Sequence, residues 1–274
     1  MAHGPRWTGI ARVILRIRRE APANARPSAW GLPVPGGRAA RPIARSTACQ
    51  TCRVPASRPL VHTLEGRHVA LTPLGEGDFP ELRAAIGRPE VFAGGFSGGP
   101  SGLPADDAAF EAFARASYTP AADAIPFAVR LRGGPDDGAL VGASKLGDLD
   151  LPNESAHIGW TGFDPRVWGT AVNPEVKLLM LGLAFDHGFG RVKLQADAVN
   201  ARSRSAIAKL GATFEGIHRR AMRRPDGTWR DTAVYAIVVD EWPAVRAGLE
   251  ARLAAWGDRP VTLGEVLGAE GGEA

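Results

Sequence analysis

The stretch RVWGTAVNPEVKLLMLGLAF, residues 166–185, joins a turn built round Gly169 to the run VKLLMLGLAF, whose one charged residue is Lys177. That run is too long for a strand and has no polar face. It therefore reads as a helix packed nearly all round. Gly169 lets the backbone take a positive φ or approach a ligand closely. Ala171 is small enough to keep the turn against a bound group. Asn173 is expected as the N-cap, Pro174 at the first helical position and Glu175 in the first turn. The first N–H groups of a helix have no partners inside it, and with the helix dipole they form an anion site. Arg166 stands where it can add a charge-assisted bond to a phosphate. The turn is neither a Walker loop, since no Gly-Lys-Ser/Thr follows, nor a GxGxxG fingerprint.

Working outward, SAHIGWTGF (155–163) precedes the junction and RVKLQADAV (191–199) follows the helix; both read as strands. Strand, helix and strand make a β-α-β unit, with parallel strands and a right-handed crossover. On 155–163, strict alternation sets Ser155, His157, Thr161 and Phe163 on one face and Ala156, Ile158 and Trp160 on the other. A second helix opens at Asn200, with Ser203 three residues on, and stops at Gly211. Both helix starts then lie at the carboxyl ends of parallel strands, where open α/β sheets place ligands.

Further out, HTLEGRHVALTPL (62–74) contains a strand, and Asp78 is expected to cap a helix reaching Ile86. Residues 94–104 read as a Gly-, Pro- and Ser-rich loop, and 105–117 as a helix. The strands 125–131, 139–150 and 155–163 are joined by short turns and so pair antiparallel. RPDGTW (224–229) centres a hairpin, and 242–256 closes as an amphipathic helix. The fold class is α+β in three layers: a mixed, mostly antiparallel central sheet carrying one parallel β-α-β core.

The charge is unevenly placed. Residues 1–58 hold eleven arginines, no lysine and one acid, a net +10; the whole chain carries +4, so the remainder carries −6. Three parts follow: a basic, disordered arm over 1–60, one domain over 61–257, and a flexible Gly- and acid-rich tail over 258–274. The arm is expected to be dispensable, with nucleic-acid or ribosome contact as its alternative use. Cys49 and Cys52 supply only two ligands where zinc wants about four. They sit among Arg, Pro and Ser rather than at a helix start, so they read as incidental and no metal is expected. No apolar run reaches the roughly 20 residues that span a bilayer. With so few cysteines and no secretory signal, the expected setting is cytoplasmic, without membrane contact.

The two helix starts, in this order, resemble those of the GCN5-related N-acetyltransferase (GNAT) family, over about residues 62–242. The family's first loop reads Arg/Gln-x-x-Gly-x-Gly/Ala, here Arg166-x-x-Gly169-x-Ala171. Its second reads Asn-x-x-Ser followed by Lys-x-Gly, here Asn200-x-x-Ser203 with Lys209-Leu210-Gly211. The pattern IGW, WGT, NPE with RRPDGTWRDT is similar to the RimJ/RimL branch, which acetylates protein N-termini. The resemblance implies acetyl-CoA as cosubstrate. The loop Arg166, Val167, Trp168, Gly169, Thr170 and Ala171 would then cradle the pyrophosphate, and the strands ending near Phe163 and Val199 would splay around the pantetheine. It further implies that the Phe163 amide polarises the thioester, that Asn200 binds the pantetheine arm and that Ser203 helps protonate the thiolate. Many members use a tyrosine for that last task. Here the tyrosines are Tyr118 and Tyr235, neither in that helix.

The base that deprotonates the amine is left open by the resemblance. His157 titrates near neutrality, and Glu154 can act through a water. Asp197 is placed to hold a substrate ammonium. The expected reaction is direct transfer of acetyl to a primary amine, first a protein N-terminal α-amine. The alternatives are a small amine (amino acid, polyamine or aminoglycoside) or, from another class, a ribosome- or nucleic-acid-associated binding module. Monomer and homodimer both remain open.

Overall fold

The computed structural model describes residues 55–264. Cys49, Cys52 and nearly all of the basic arm lie outside the described residues, as do 265–274. The strands are β1 (Leu64–Glu65), β2 (Val69–Pro73), β3 (Ile125–Leu131), β4 (Leu140–Asp150), β5 (Ser155–Phe163), β6 (Arg191–Asp197), β7 (Thr213–Arg223) and β8 (Trp229–Val238). The helices are α1 (Phe79–Ile86), α2 (Pro89–Ala93), α3 (Asp107–Tyr118), α4 (Val172–Asp186), α5 (Ala201–Ala208) and α6 (Trp242–Trp256). One sheet runs β1-β2-β3-β4-β5-β6-β8-β7. Its neighbours are antiparallel except β5 and β6, the pair that α4 connects. The α+β expectation stands, with the parallel pair inside a mostly antiparallel sheet.

Two apolar layers cover the sheet. On one face Phe127, Val129, Ile158 and Leu194 pack with Val176, Met180 and Leu181 of α4, Ile207 of α5 and Leu249 of α6. On the other, Ala128, Leu140 and Ala143 pack with Leu82 and Ile86 of α1, Phe92 of α2 and Phe110 of α3. The outermost strand, β7, is exposed along nearly its whole length, including Phe214, Ile217 and Met222.

Two features tie the start of α4 in place. Its N-cap is Ala171 rather than Asn173, which is the second helical residue; Pro174 follows as the third. The backbone is already helical at Ala171 (φ −66°, ψ −17°), so the helix starts before Asn173 could cap it. Glu175 is buried rather than solvated. Its Oε1 accepts from Arg67 N at 2.8 Å, and its Oε2 from His68 N at 2.7 Å and Val69 N at 2.8 Å. Three backbone donors thus hold one carboxylate between the crossover helix and the turn into β2. Gly66 makes room for it, since a Cβ there would sit 2.5 Å from Glu175 Cδ.

The domain reaches further at both ends than the sequence reading had it. Ser57 N donates to His187 O, and Arg58 Nε to Ala122 O. Beyond α6, Val261 is buried in the core and Leu263 N donates to Asp136. Residues 57–58 and 261–263 therefore belong to the body, not to an arm or tail. Asp78 precedes α1 as expected, but its carboxylate binds Gly75 N and Arg130 instead of capping the helix.

Candidate active site

The parallel ladder of β5 and β6 covers Ser155↔Arg191, Ala156↔Val192 and His157↔Lys193, then stops. Both strands continue, β5 to Phe163 and β6 to Asp197, without pairing to each other. A cavity of about 420 Å³ occupies the opening, lined by these two strands, α5, the 167–169 turn, Phe96, Phe113 and Arg230. Asp164 N donates to Val141 O of β4. Since N–H directions alternate along a strand, the Phe163 N–H points the other way, into the opening.

A bulge overturns the expected faces of β5. Ala143↔Gly162 and Lys145↔Gly159 leave Trp160 and Thr161 together opposite Ser144, and Trp160 has φ +49°. One extra residue reverses the alternation. Thr161 and Phe163 therefore join the face of Ala156 and Ile158, while Trp160 joins that of His157. The bulge is held by Tyr118, whose buried hydroxyl donates to Trp160 O at 2.8 Å. Lys145 lies 3.5 Å from the Trp160 ring centroid.

At the rim, Gly169 has φ +77°, and a Cβ there would meet no protein atom. The N–H groups of Gly169, Ala171 and Asn173 find no partner among the described residues. Val167, Trp168, Gly169 and Asn173 line the cavity; Arg166, Thr170 and Ala171 do not. Arg166 is committed elsewhere: its guanidinium grips buried Asp164 through Nε at 3.1 Å and Nη2 at 2.7 Å. That bond holds the Arg166 pKa above its ordinary value. The cation at the rim is Arg202, stacked 3.4 Å above the Trp168 ring and without a carboxylate partner among the described residues. Burial lowers its pKa. The sequence reading missed Arg202, whose only signal was its place in the first turn after Asn200.

Asn200 caps α5 as expected, its Oδ1 accepting from Ser203 N at 2.9 Å. Asn200 and Ser203 both line the cavity. His157 lines it too, 2% exposed. Its Nδ1 lies 3.1 Å from Asp148 Oδ2, and its Nε2 is buried without a partner among the described residues. Asp148 sits at φ +49° in a second irregularity of β4, which turns its carboxylate toward His157 and Lys193. The His157 hydrogen bond holds the Asp148 carboxyl well below the usual range. Burial lowers the His157 pKa more than the Asp148 hydrogen bond raises it.

Lys177 also faces the cavity from the first half of α4. Its Nζ donates to Thr161 Oγ1 at 2.8 Å, which lies 2.8 Å from Ser144 Oγ. Burial lowers its pKa to about 7. Asp197 lines the cavity, but its carboxylate already holds Arg224 and accepts from Val199 N. Glu154 does not line the cavity; it lies in the turn before β5, its carbonyl accepting from Gly190 N and Arg191 N.

Residues 68–213 match the family model described as an acetyltransferase (GNAT) domain. The chain belongs to the GNAT acetyltransferase family. A GCN5-related N-acetyltransferase from Brucella melitensis is 29% identical, with TM-score 0.65 over 72% of this chain and 88% of that one. A protein from T. thermophilus, described as an acetyltransferase, is 31% identical, with TM-score 0.63 over 72% of this chain and 100% of that one. Mycobacterium smegmatis RimJ, in complex with CoA-disulfide, shares the fold at 21% identity and TM-score 0.51, over 67% and 88%. No curated protein matches the chain.

GNAT enzymes use acetyl-CoA, and the residues of this GNAT chain fit such a molecule. Unpaired amides stand at the rim, Gly169 leaves space for close approach, and an unpaired strand edge runs inward from there. Among the described residues, no group of three His, Cys, Asp or Glu is placed to hold a metal, and no helix is long and apolar enough to cross a membrane.

Proposed function

We propose that this GNAT enzyme moves the acetyl group of acetyl-CoA to a primary amine by direct attack with both substrates bound, and that the acceptor is a protein N-terminal α-amine. The observation that carries the reading is the unpaired opening between β5 and β6, with free main-chain amides at its rim.

Acetyl-CoA supplies an acyl group activated as a thioester. The amides of Gly169, Ala171 and Asn173 take the pyrophosphate, with Val167, Trp168 and Thr170 shaping the turn and Arg202 adding positive charge. Asn200 keeps its Nδ2 for the pantetheine arm, because capping uses only its Oδ1. The Phe163 N–H donates to the oxygen on which negative charge develops. His157 is the base: Asp148 fixes a proton on Nδ1, which leaves the Nε2 lone pair for the acceptor's proton. Ser203 helps protonate the departing sulfur, its hydroxyl proton replaced from water, while His157 gives up the amine's proton to solvent. Glu154, outside the cavity, takes no part in this scheme.

The test is thiol release by the full chain with acetyl-CoA and a panel of acceptors. Peptides with free N-termini are expected to give steady release, and the same peptides N-acetylated none. Release with amino acids, polyamines or aminoglycosides alone would move the acceptor to small amines. Bound acetyl-CoA with no release on any amine would overturn the reading.

A further inference from the structure

Arg230 lies on β8 opposite Met222 of β7, and its side chain lines the cavity. It is 8% exposed. Its Nε is buried with no partner, and the guanidinium makes no hydrogen bond among the described residues. Such a group is costly in a protein interior unless an anion meets it. Asp197, whose charge acts on it, makes no hydrogen bond to it and instead holds Arg224 and accepts from the Val199 N–H. Burial pulls the Arg230 pKa down; Asp197 offsets this in part, and Arg224 adds to it.

The surroundings are positive. Among the described residues whose charged side chains line the cavity, Asp197 is the single carboxylate, while Arg202, Arg230 and Lys177 are bases. Arg202 stacks on Trp168 at the rim turn. Arg230 sits across the sheet from it: Thr232, two residues along β8, pairs with Asp197, whose side chain shares the sheet face of His157 rather than that of α4. An acceptor amine arriving as an ammonium enters an unfavourable field unless it brings negative charge with it.

We infer that Arg230 binds a carboxylate carried by the acceptor, so that the substrate class is an amine with a carboxylate close to it. Two sources share that chemistry: a free amino acid, and a protein N-terminus with Asp or Glu among its first residues. The inference rests on the acetyl-transfer reading and narrows its acceptor. The guanidinium fork holds the carboxylate while His157, on the same face, receives the proton from the amine.

The experiment compares kcat/KM for matched acceptors with the full chain. One arm uses peptides beginning with Asp or Glu against Asn or Gln; the other uses amino acids against their amides. Wild type is expected to favour the carboxylate form at least ~10-fold in one arm, and that arm identifies the source. In Arg230→Met the preference is expected to fall to about twofold or less, with acetyl-CoA affinity by calorimetry unchanged, which also shows the variant folded. Arg230→Lys keeps the charge without the fork and is expected to retain part of the preference. Equal rates for both forms in wild type, or a preference that survives in Arg230→Met, would overturn the inference and leave acetyl transfer standing. Weakened acetyl-CoA binding in Arg230→Met and Arg230→Lys would assign the group to the cosubstrate instead. If wild type bound no acetyl-CoA, the acetyl-transfer reading itself would fall, and this inference with it.

Discussion

Replacing Lys177 with methionine is expected to stabilise the protein at neutral pH. The wild-type amine is buried, with Thr161 as its one hydrogen-bond partner among the described residues, and its pKa is lowered from 10.5 to about 7. The sign follows from linkage. Between pH 7 and 10.5 the unfolded chain holds a proton on this lysine that the native chain does not, so native stability rises with pH across that window. At about 1.4 kcal/mol per pH unit, burial costs roughly 4 kcal/mol at pH 7, and about 3 kcal/mol of that returns by about pH 9.5. Methionine fills similar space without the charge, and loses one hydrogen bond worth about 1 kcal/mol. The variant should therefore be about 3 kcal/mol more stable at pH 7, with that advantage largely gone at about pH 9.5. Urea unfolding of ligand-free wild type and variant at the two pH values measures this, and groups common to both cancel in the difference. Identical pH dependence in the two proteins, or a variant less stable at pH 7, would refute the reasoning. A lysine kept in a cavity at such a cost points to a use in function. The stabilised variant is accordingly expected to lose turnover, through the Thr161 hydroxyl and the bulge it helps hold.

Glu175→Gln should lower stability by about 2–4 kcal/mol, because an amide turns N–H groups toward backbone N–H donors; thermal unfolding reads it. Gly66→Ala should fall by about 1–3 kcal/mol for a different reason, the clash of its Cβ with the same carboxylate. His157→Gln is expected to reduce kcat by about 10²-fold or more with acetyl-CoA affinity intact. Asp148→Asn should reduce it less, and should lower the pH at which kcat/KM levels off, because Asp148 raises the pKa of the His157 base. Gly169→Val should weaken acetyl-CoA binding at least ~10-fold by calorimetry. A Cβ there has no protein atom within 4 Å, so beyond a backbone cost of about 1–2 kcal/mol the loss reports the ligand.

Much of the fold was legible because its signals are local. Alternation and short turns marked 125–131 and 155–163 to the residue, and Asn200 with Ser203 marked a helix start that the structure keeps. The crossover helix was legible from its composition. What escaped depends on contacts distant in sequence or on backbone strain at ordinary residues. No feature of the sequence sets Trp160 or Asp148 at positive φ, yet those irregularities decide which side chains share a face and bring Asp148 to His157. Glu175 looked like a first-turn acid, but its donors come from residues 67–69, far along the chain. Arg166 looked available for phosphate until Asp164, two residues earlier, took its fork. Arg230 was invisible as a site residue, since only the folded hairpin brings it to the cavity.

The central claim concerns where coenzyme A lies, and a crystal structure of the full chain grown with it tests this most directly. The account predicts the pyrophosphate on the amides of Gly169, Ala171 and Asn173, with the pantetheine running between β5 and β6 beyond the His157↔Lys193 pair. Coenzyme A bound elsewhere, with that opening empty, would contradict it.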